Sequence, residues 1–281
     1  MLTSLMLLIG CRSPTEEGRS ALDTHDLARA EGAFRTALDR DPEDTDALDG
    51  LGWTYLLAGQ REAAASAFDR CIELAPTSGD CLRGRASVAT ADDNLPLARS
   101  MLLKAQEYEP DNPGVIASLA LHDMLAGRMT EAEERYRLLV TRFPQEAEYR
   151  LGLARVLMRL DRVEEALTLI EEALVLPDTP VRYQTMLWVL RAQGLISRSA
   201  GLEDADRCAE TAPAVLSWLD AAEESLAQAE TTGVSSPELA RIRRLVKKRR
   251  GVVEEVCPAQ TRGEPESTTT PGSPAAEGTP P

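Results

Sequence analysis

The sequence predicts an all-α fold, a solenoid of stacked helix-turn-helix units. Three observations predict it. First, Pro42, Pro76, Pro110 and Pro144 stand 34 residues apart and close the stretches "ALDRDP", "IELAP", "QEYEP" and "VTRFP". Proline fixes its own φ and pushes the preceding residue out of the α region, so a helix ends at each of these points. Second, Ala30, Ala64, Ala98, Ala132 and Ala166 keep the same period. Four residues on stand Phe34, Phe68, Leu102, Tyr136 and Ile170, and three further on Ala37, Cys71, Ala105, Leu139 and Ala173. Those spacings put a mostly small, a large and a mostly small residue on one helix face, where a second helix approaches closely. Third, aromatic residues are only 4 % of the chain and no strand-like β-branched alternation occurs. A fixed period of this length signals repeated supersecondary units that bury a continuous core by stacking.

Each period reads as a helix, a tight turn, a second helix and a proline stop. A second small series, Gly18, Gly52, Ala86, Ala120 and Ala154, marks the first helices. Gly59 and Gly127 stand at mid-period, where a left-handed residue ends the first helix. The expected helices are 15–24, 27–40, 45–58, 61–75, 79–91, 95–108, 113–126, 129–142, 147–159 and 162–175.

The unit at 45–78 carries Leu48, Leu51, Gly52, Tyr55, Ala64, Phe68 and Pro76, and so resembles the tetratricopeptide repeat family. Cys71 stands where that family usually has alanine. The resemblance covers about residues 11–180 as five units, the best being 45–78, 79–112, 113–146 and 147–180 and the first, 11–44, irregular. It implies a right-handed superhelix whose first helices line a concave groove.

Beyond Pro177 the register is lost. "TPVRYQTMLWVLRAQGLISRSA" reads as one long helix, about 180–198, and "GLEDADRCAETAP" as an insertion. In "AVLSWLDAAEESLAQAE", Ala222, Leu226 and Ala229 restore the second-helix spacing, so 181–257 is read as a degenerate repeat plus a capping helix. That last helix has Ser236 as expected N-cap and Pro237 in its first turn. Residues 258–281, rich in Pro, Thr, Glu and Gly, have little to bury and are expected to be disordered.

The stretch "MLTSLMLLIGC" resembles the lipobox of bacterial lipoproteins, with Leu8, Gly10 and Cys11 in the characteristic places. The resemblance implies cleavage after Gly10, a signal peptide at 1–10 and a diacylglycerol on the Cys11 thiol, the one covalent group expected. The run is too short to span a bilayer. It lacks the Lys or Arg that usually opens a signal peptide, so the true start is open to lying upstream of Met1. Arg12 follows the cysteine, which by the same resemblance favours the outer membrane.

Four other cysteines remain: Cys71, Cys81, Cys208 and Cys257. In an oxidising compartment they can pair in three ways. Helices carrying Cys71 and Cys81 pack together in the family, which makes a 71–81 bridge feasible; a Cys208–Cys257 bridge would staple the insertion to the last helix. No Cys or Cys–His cluster has metal-site spacing.

Catalytic signatures are lacking: no nucleophile elbow, phosphate-cradling glycine loop or paired-histidine zinc helix occurs. His25 and His122 have no partner set by local sequence. "DRDPEDTDALDG" fails the calcium-loop pattern and reads as acidic residues in a first helical turn. No catalytic residue, metal or small-molecule substrate is assigned. A net charge of −15 disfavours nucleic acid as a partner. "RIRRLVKKRR" is the exception, and Arg241, Arg244, Lys247 and Lys248 fall off its apolar stripe. They read as a solvated cap, as a dock for an acidic partner, or as a contact for anionic lipid.

By family register, the groove-facing residues are Trp53, Leu56, Arg83, Ser87, Leu121, Met124, Arg155 and Met158. This mixture of apolar and Arg positions suits an amphipathic peptide or helix. The family's lysine and asparagine clamp for carboxyl-terminal tails is not matched. The resulting expectation is a protein-binding scaffold, lipid-anchored at the periplasmic face of the outer membrane. The alternative is a soluble cytosolic adaptor with no anchor.

Overall fold

The computed structural model describes residues 12–199, 208–232 and 237–258, with the side chains of 208 and 209 excepted. Among them are thirteen helices and no strand. They are α1 (Pro14–Asp23), α2 (Leu27–Arg40), α3 (Thr45–Leu57), α4 (Arg61–Leu74), α5 (Gly79–Ala91), α6 (Leu95–Tyr108), α7 (Pro113–Leu125), α8 (Met129–Arg142), α9 (Ala147–Arg159), α10 (Val163–Leu174), α11 (Val181–Arg198), α12 (Cys208–Thr231) and α13 (Pro237–Val256).

The period acts at both ends of the helices. Asp44, Ser78 and Asn112 cap α3, α5 and α7 by accepting a backbone N–H with the side chain. At mid-period His25, Gly59, Asp93, Gly127 and Asp161 all adopt positive φ, between 59° and 79°. The next residue's N–H then returns to a carbonyl of the first helix, as from Gln60 to Tyr55 at 2.8 Å and from Asp93's successor Asn94 to Ala89 at 2.8 Å. Only two of these five turns use glycine. The other three hold an L-residue in a region it disfavours, which the two aspartates tolerate better than most.

The core is a row of joints. Ala30, Ala64, Ala98, Ala132 and Ala166 are all fully buried, and Phe34, Phe68 and Ile170 beside them have no exposed surface. Phe34 lies against Gly18 and Gly50, and Phe68 against Gly52 and Gly84, small residues of two neighbouring first helices. A Cβ on Gly52 or on Gly84 would come within 2.6 Å or 2.1 Å of the Phe68 ring, and one on Gly152 within 2.2 Å of Tyr136. Thus Gly50, Gly84 and Gly152 form a further small-residue series, one repeat or two apart, which lets the following unit close on the preceding ring.

Each helix packs on the next, and each odd helix also packs on the next odd one, from α1 on α3 through α11 on α13. No even helix makes a substantial contact with the next even one. The odd helices therefore form the tighter inner layer and the even ones the outer layer of a curved solenoid. The alternation continues through α11, α12 and α13, so α13 occupies an inner-layer position at the carboxyl end.

The stretch 208–213, part of the expected insertion, is helical: as described, α12 runs from Cys208 and includes Pro213. Ala212 and Val215 are buried and draw this turn into the core. Pro213 lies inside the helix, where its ring removes the N–H that would reach back one turn. Residues 1–11, the N-cap position 236 and the tail from 259 lie outside the described residues.

Candidate functional site

The inner face of the odd helices is concave, and it has two distinct parts. In the amino-terminal part the side chains are committed to each other. Trp53, on α3, packs its edge on Phe68 at 5.6 Å and donates Nε1–H to Asp49 at 3.2 Å. The Arg83 guanidinium lies 4.7 Å above the Trp53 ring and pairs with Asp80 at 3.3 Å. Ser87 donates its hydroxyl to the Arg83 carbonyl, and Leu56 packs beside the Phe68 cluster. Burial pushes the Asp49 carboxyl up to about 6, against the opposing pull of Arg83.

In the carboxyl-terminal part the face is open. Met124, Arg155 and Met158 line a cleft of about 1300 Å³ with Met186, Val189 and Leu190 of α11. The α1–α2 corner, Asp23 to His25, and Thr232 and Glu238 from the far end border the same cleft, so the solenoid curves far enough to bring its two ends to one opening. Leu121, Leu125 and Met186 are 40 %, 47 % and 41 % exposed. Arg155 and Arg159 have no ion pair or hydrogen bond among the described residues, whereas most arginines of the inner and outer layers do. Unpaired guanidiniums beside thioethers and aliphatic side chains form a surface ready for an apolar segment that carries carboxylates.

Of the eight residues assigned to the groove by register, Met124, Arg155 and Met158 meet in the cleft, and Leu121 is exposed beside it. Trp53, Leu56, Arg83 and Ser87 form the committed part. Sequence reasoning missed Met186 and Val189, because α11 lies past the point where the register breaks. It also missed Asp123, on α7 at the slot Tyr55 fills in the better unit. Asp123 has a side chain 2 % exposed and pairs with Arg99 at 3.2 Å, with Arg128 at 2.7 Å and with Arg135. Next to it His122 is buried with Nδ1 unbonded, and burial, then Arg128, holds its pKa below the usual value.

Cys71 and Cys81 are joined by a disulfide across the α4–α5 joint, their Cα atoms 5.7 Å apart. Cys257 is buried. The side chain of Cys208, its expected partner, and Cys11 lie outside the described residues. The four cations of α13, Arg241, Arg244, Lys247 and Lys248, are exposed.

A family model described as tetratricopeptide repeat matches residues 15–79 and 118–180. Over those residues the repeats are tetratricopeptide repeats. The tetratricopeptide solenoid is also the fold of a tetratricopeptide repeat protein from Parabacteroides merdae, with TM-score 0.62, 16 % identity and 83 % of each chain covered. PilW, a type IV pilus biogenesis factor, shares it with TM-score 0.53 and 18 % identity over 82 % of this chain and 96 % of that one. Among curated proteins, the cellulose synthase operon protein C of Pseudomonas fluorescens is 27 % identical over 169 residues. That match takes in 54 % of this chain but only 13 % of the relative's length. No described helix is long and apolar enough to cross a membrane.

Proposed function

We propose that this tetratricopeptide-repeat chain is a non-catalytic protein-binding scaffold of a bacterial cell envelope, held to the membrane by an acylated Cys11. The observation that carries the scaffold reading is the open carboxyl-terminal half of the inner face. There Met124, Met158 and Met186 surround a cleft beside the unpaired Arg155. A partner segment with an apolar stripe and an acidic flank fills such a cleft by desolvating the methionines and pairing the guanidinium. Methionine, unbranched and polarizable, suits a face that must adapt to its occupant.

The envelope part of the proposal rests on the lipobox resemblance at Cys11 and draws support from the relative named for a cellulose synthase operon. Two experiments test the two parts separately. Metabolic labelling with palmitate should mark the intact protein and not a Cys11→Ser variant. Label persisting in that variant would remove the anchor from the account. Arg155→Glu with Met158→Asp should abolish recovery of the envelope partner in a crosslinking pulldown while the thermal melt stays within a few degrees. Undiminished recovery would remove the cleft.

A further inference from the structure

We infer that the outward face of α13 is a binding surface for anionic lipid headgroups. The sequence places seven cations in residues 241–250 of this helix, in a chain of net charge −15. The fold divides them into two sets. Leu239, Ile242, Val246 and Val253 are buried and define the inward side. Three cations on its flanks serve the fold. Arg243 pairs with Glu230 at 2.8 Å, Arg250 pairs with Asp220 at 2.6 Å, and Arg249 donates to the Ser199 carbonyl. The other four, Arg241, Arg244, Lys247 and Lys248, lie at helical spacings that point them away from that core, and all are exposed. None of the four has an ion pair or hydrogen bond among the described residues.

Four adjacent cations repel one another, and a helix whose only task was to cap the stack would gain by mixing acids among them. Over the roughly three turns from Ala240 to Gly251 no acid interrupts the outward face; Glu255 bounds it at the carboxyl end. The small residues Ala240 and Gly251 keep this face low, and Leu245, 43 % exposed, sits at the edge of the cations. A straight row of cations with one apolar side chain at its margin matches a plane of phosphates. The long side chains reach the headgroups and the leucine enters the boundary. This surface is separate from the cleft and does not depend on acylation.

The test uses the full chain carrying Cys11→Ser, so that no acyl group contributes, in co-sedimentation with vesicles. Vesicles containing phosphatidylglycerol should retain the protein at low salt and release it at high salt, and vesicles of phosphatidylcholine alone should not retain it. Replacing Arg241, Arg244, Lys247 and Lys248 together with Gln should lower partitioning by at least about a hundredfold, from about fivefold per cation. The single change Lys248→Gln, at an exposed position off the buried stripe, should give about fivefold by itself. Equal retention on both vesicle types, or retention unchanged in the fourfold variant, overturns the inference. Capture by immobilised polyglutamate without retention on anionic vesicles also overturns it, and assigns the face to an acidic protein.

Discussion

The inner helices present two surfaces that obey different rules, and α7 shows both. Toward its neighbours it offers Val115, Ile116, Leu119 and Ala120, all buried, in the same slots that other units use. Toward the superhelix axis it offers Leu121, Met124 and Leu125, for which α3 has Trp53, Leu56 and Leu57 and α5 has Ser87, Thr90 and Ala91. The joints repeat and the axial face does not. Packing at a joint is a jigsaw with one solution per layer, so the solution recurs. Stacking holds some axial residues, as Trp53 on Phe68 shows, and those it leaves exposed are free to specify an occupant.

The strongest way to break this contrast is at the joint that departs from its own rule. Asp123 fills a buried slot with a charge held by three arginines. Asp123→Ala leaves Arg99, Arg128 and Arg135 facing one another and should cost about 3 kcal/mol in chemical denaturation. A loss under about 1 kcal/mol would show that the arginines reach solvent without penalty. Next comes a regular joint. Gly152→Ala puts a methyl 2.2 Å from the Tyr136 ring, and Ala132→Leu overfills a slot with no exposed surface. Each should cost about 1–3 kcal/mol, read as a lowered melting temperature.

A smaller change of opposite sign belongs to the axial face. The folded pKa of Asp49, about 6, lies above the unfolded carboxyl value. The native state therefore holds this proton more tightly, and the associated stability is present in acid and lost as pH rises from about 4 through 6. Asp49→Asn keeps an acceptor for Trp53 and removes the buried charge. It should raise stability at neutral pH by about 1–2 kcal/mol and flatten that part of the pH profile. The smallest effect is at the turns. Asp161→Gly relieves an L-residue at φ 60° and should add about 0.5–1 kcal/mol, while the same change at Gln60, outside the left-handed region, should not stabilise.

What the sequence made legible follows the same division. Ala98 and Ala132 sit in close-approach slots because a 34-residue period in small residues has no other cheap explanation. The third small series, with Gly84 and Gly152, is harder to read because Ser118 replaces its glycine. Left-handed turns at His25, Asp93 and Asp161 were hidden for a related reason: the turn is set by position, and glycine is only its commonest tenant. The axial face has no period to read. Register names Met124, Arg155 and Met158, yet their meeting with Met186 across a cleft depends on superhelix curvature and on α11, where register fails.

The central claim is that partners are held by the inner layer and not the outer. Leu121 and Leu103 offer a matched comparison, because both are leucines, 40 % and 42 % exposed, on α7 of the inner layer and α6 of the outer. A photo-crosslinking residue placed at either position, in cells, reads the occupant directly. The account predicts a discrete crosslinked partner from position 121 that disappears with Arg155→Glu, and none from position 103. Equal crosslinking at both positions, or a partner captured only at 103, would contradict it.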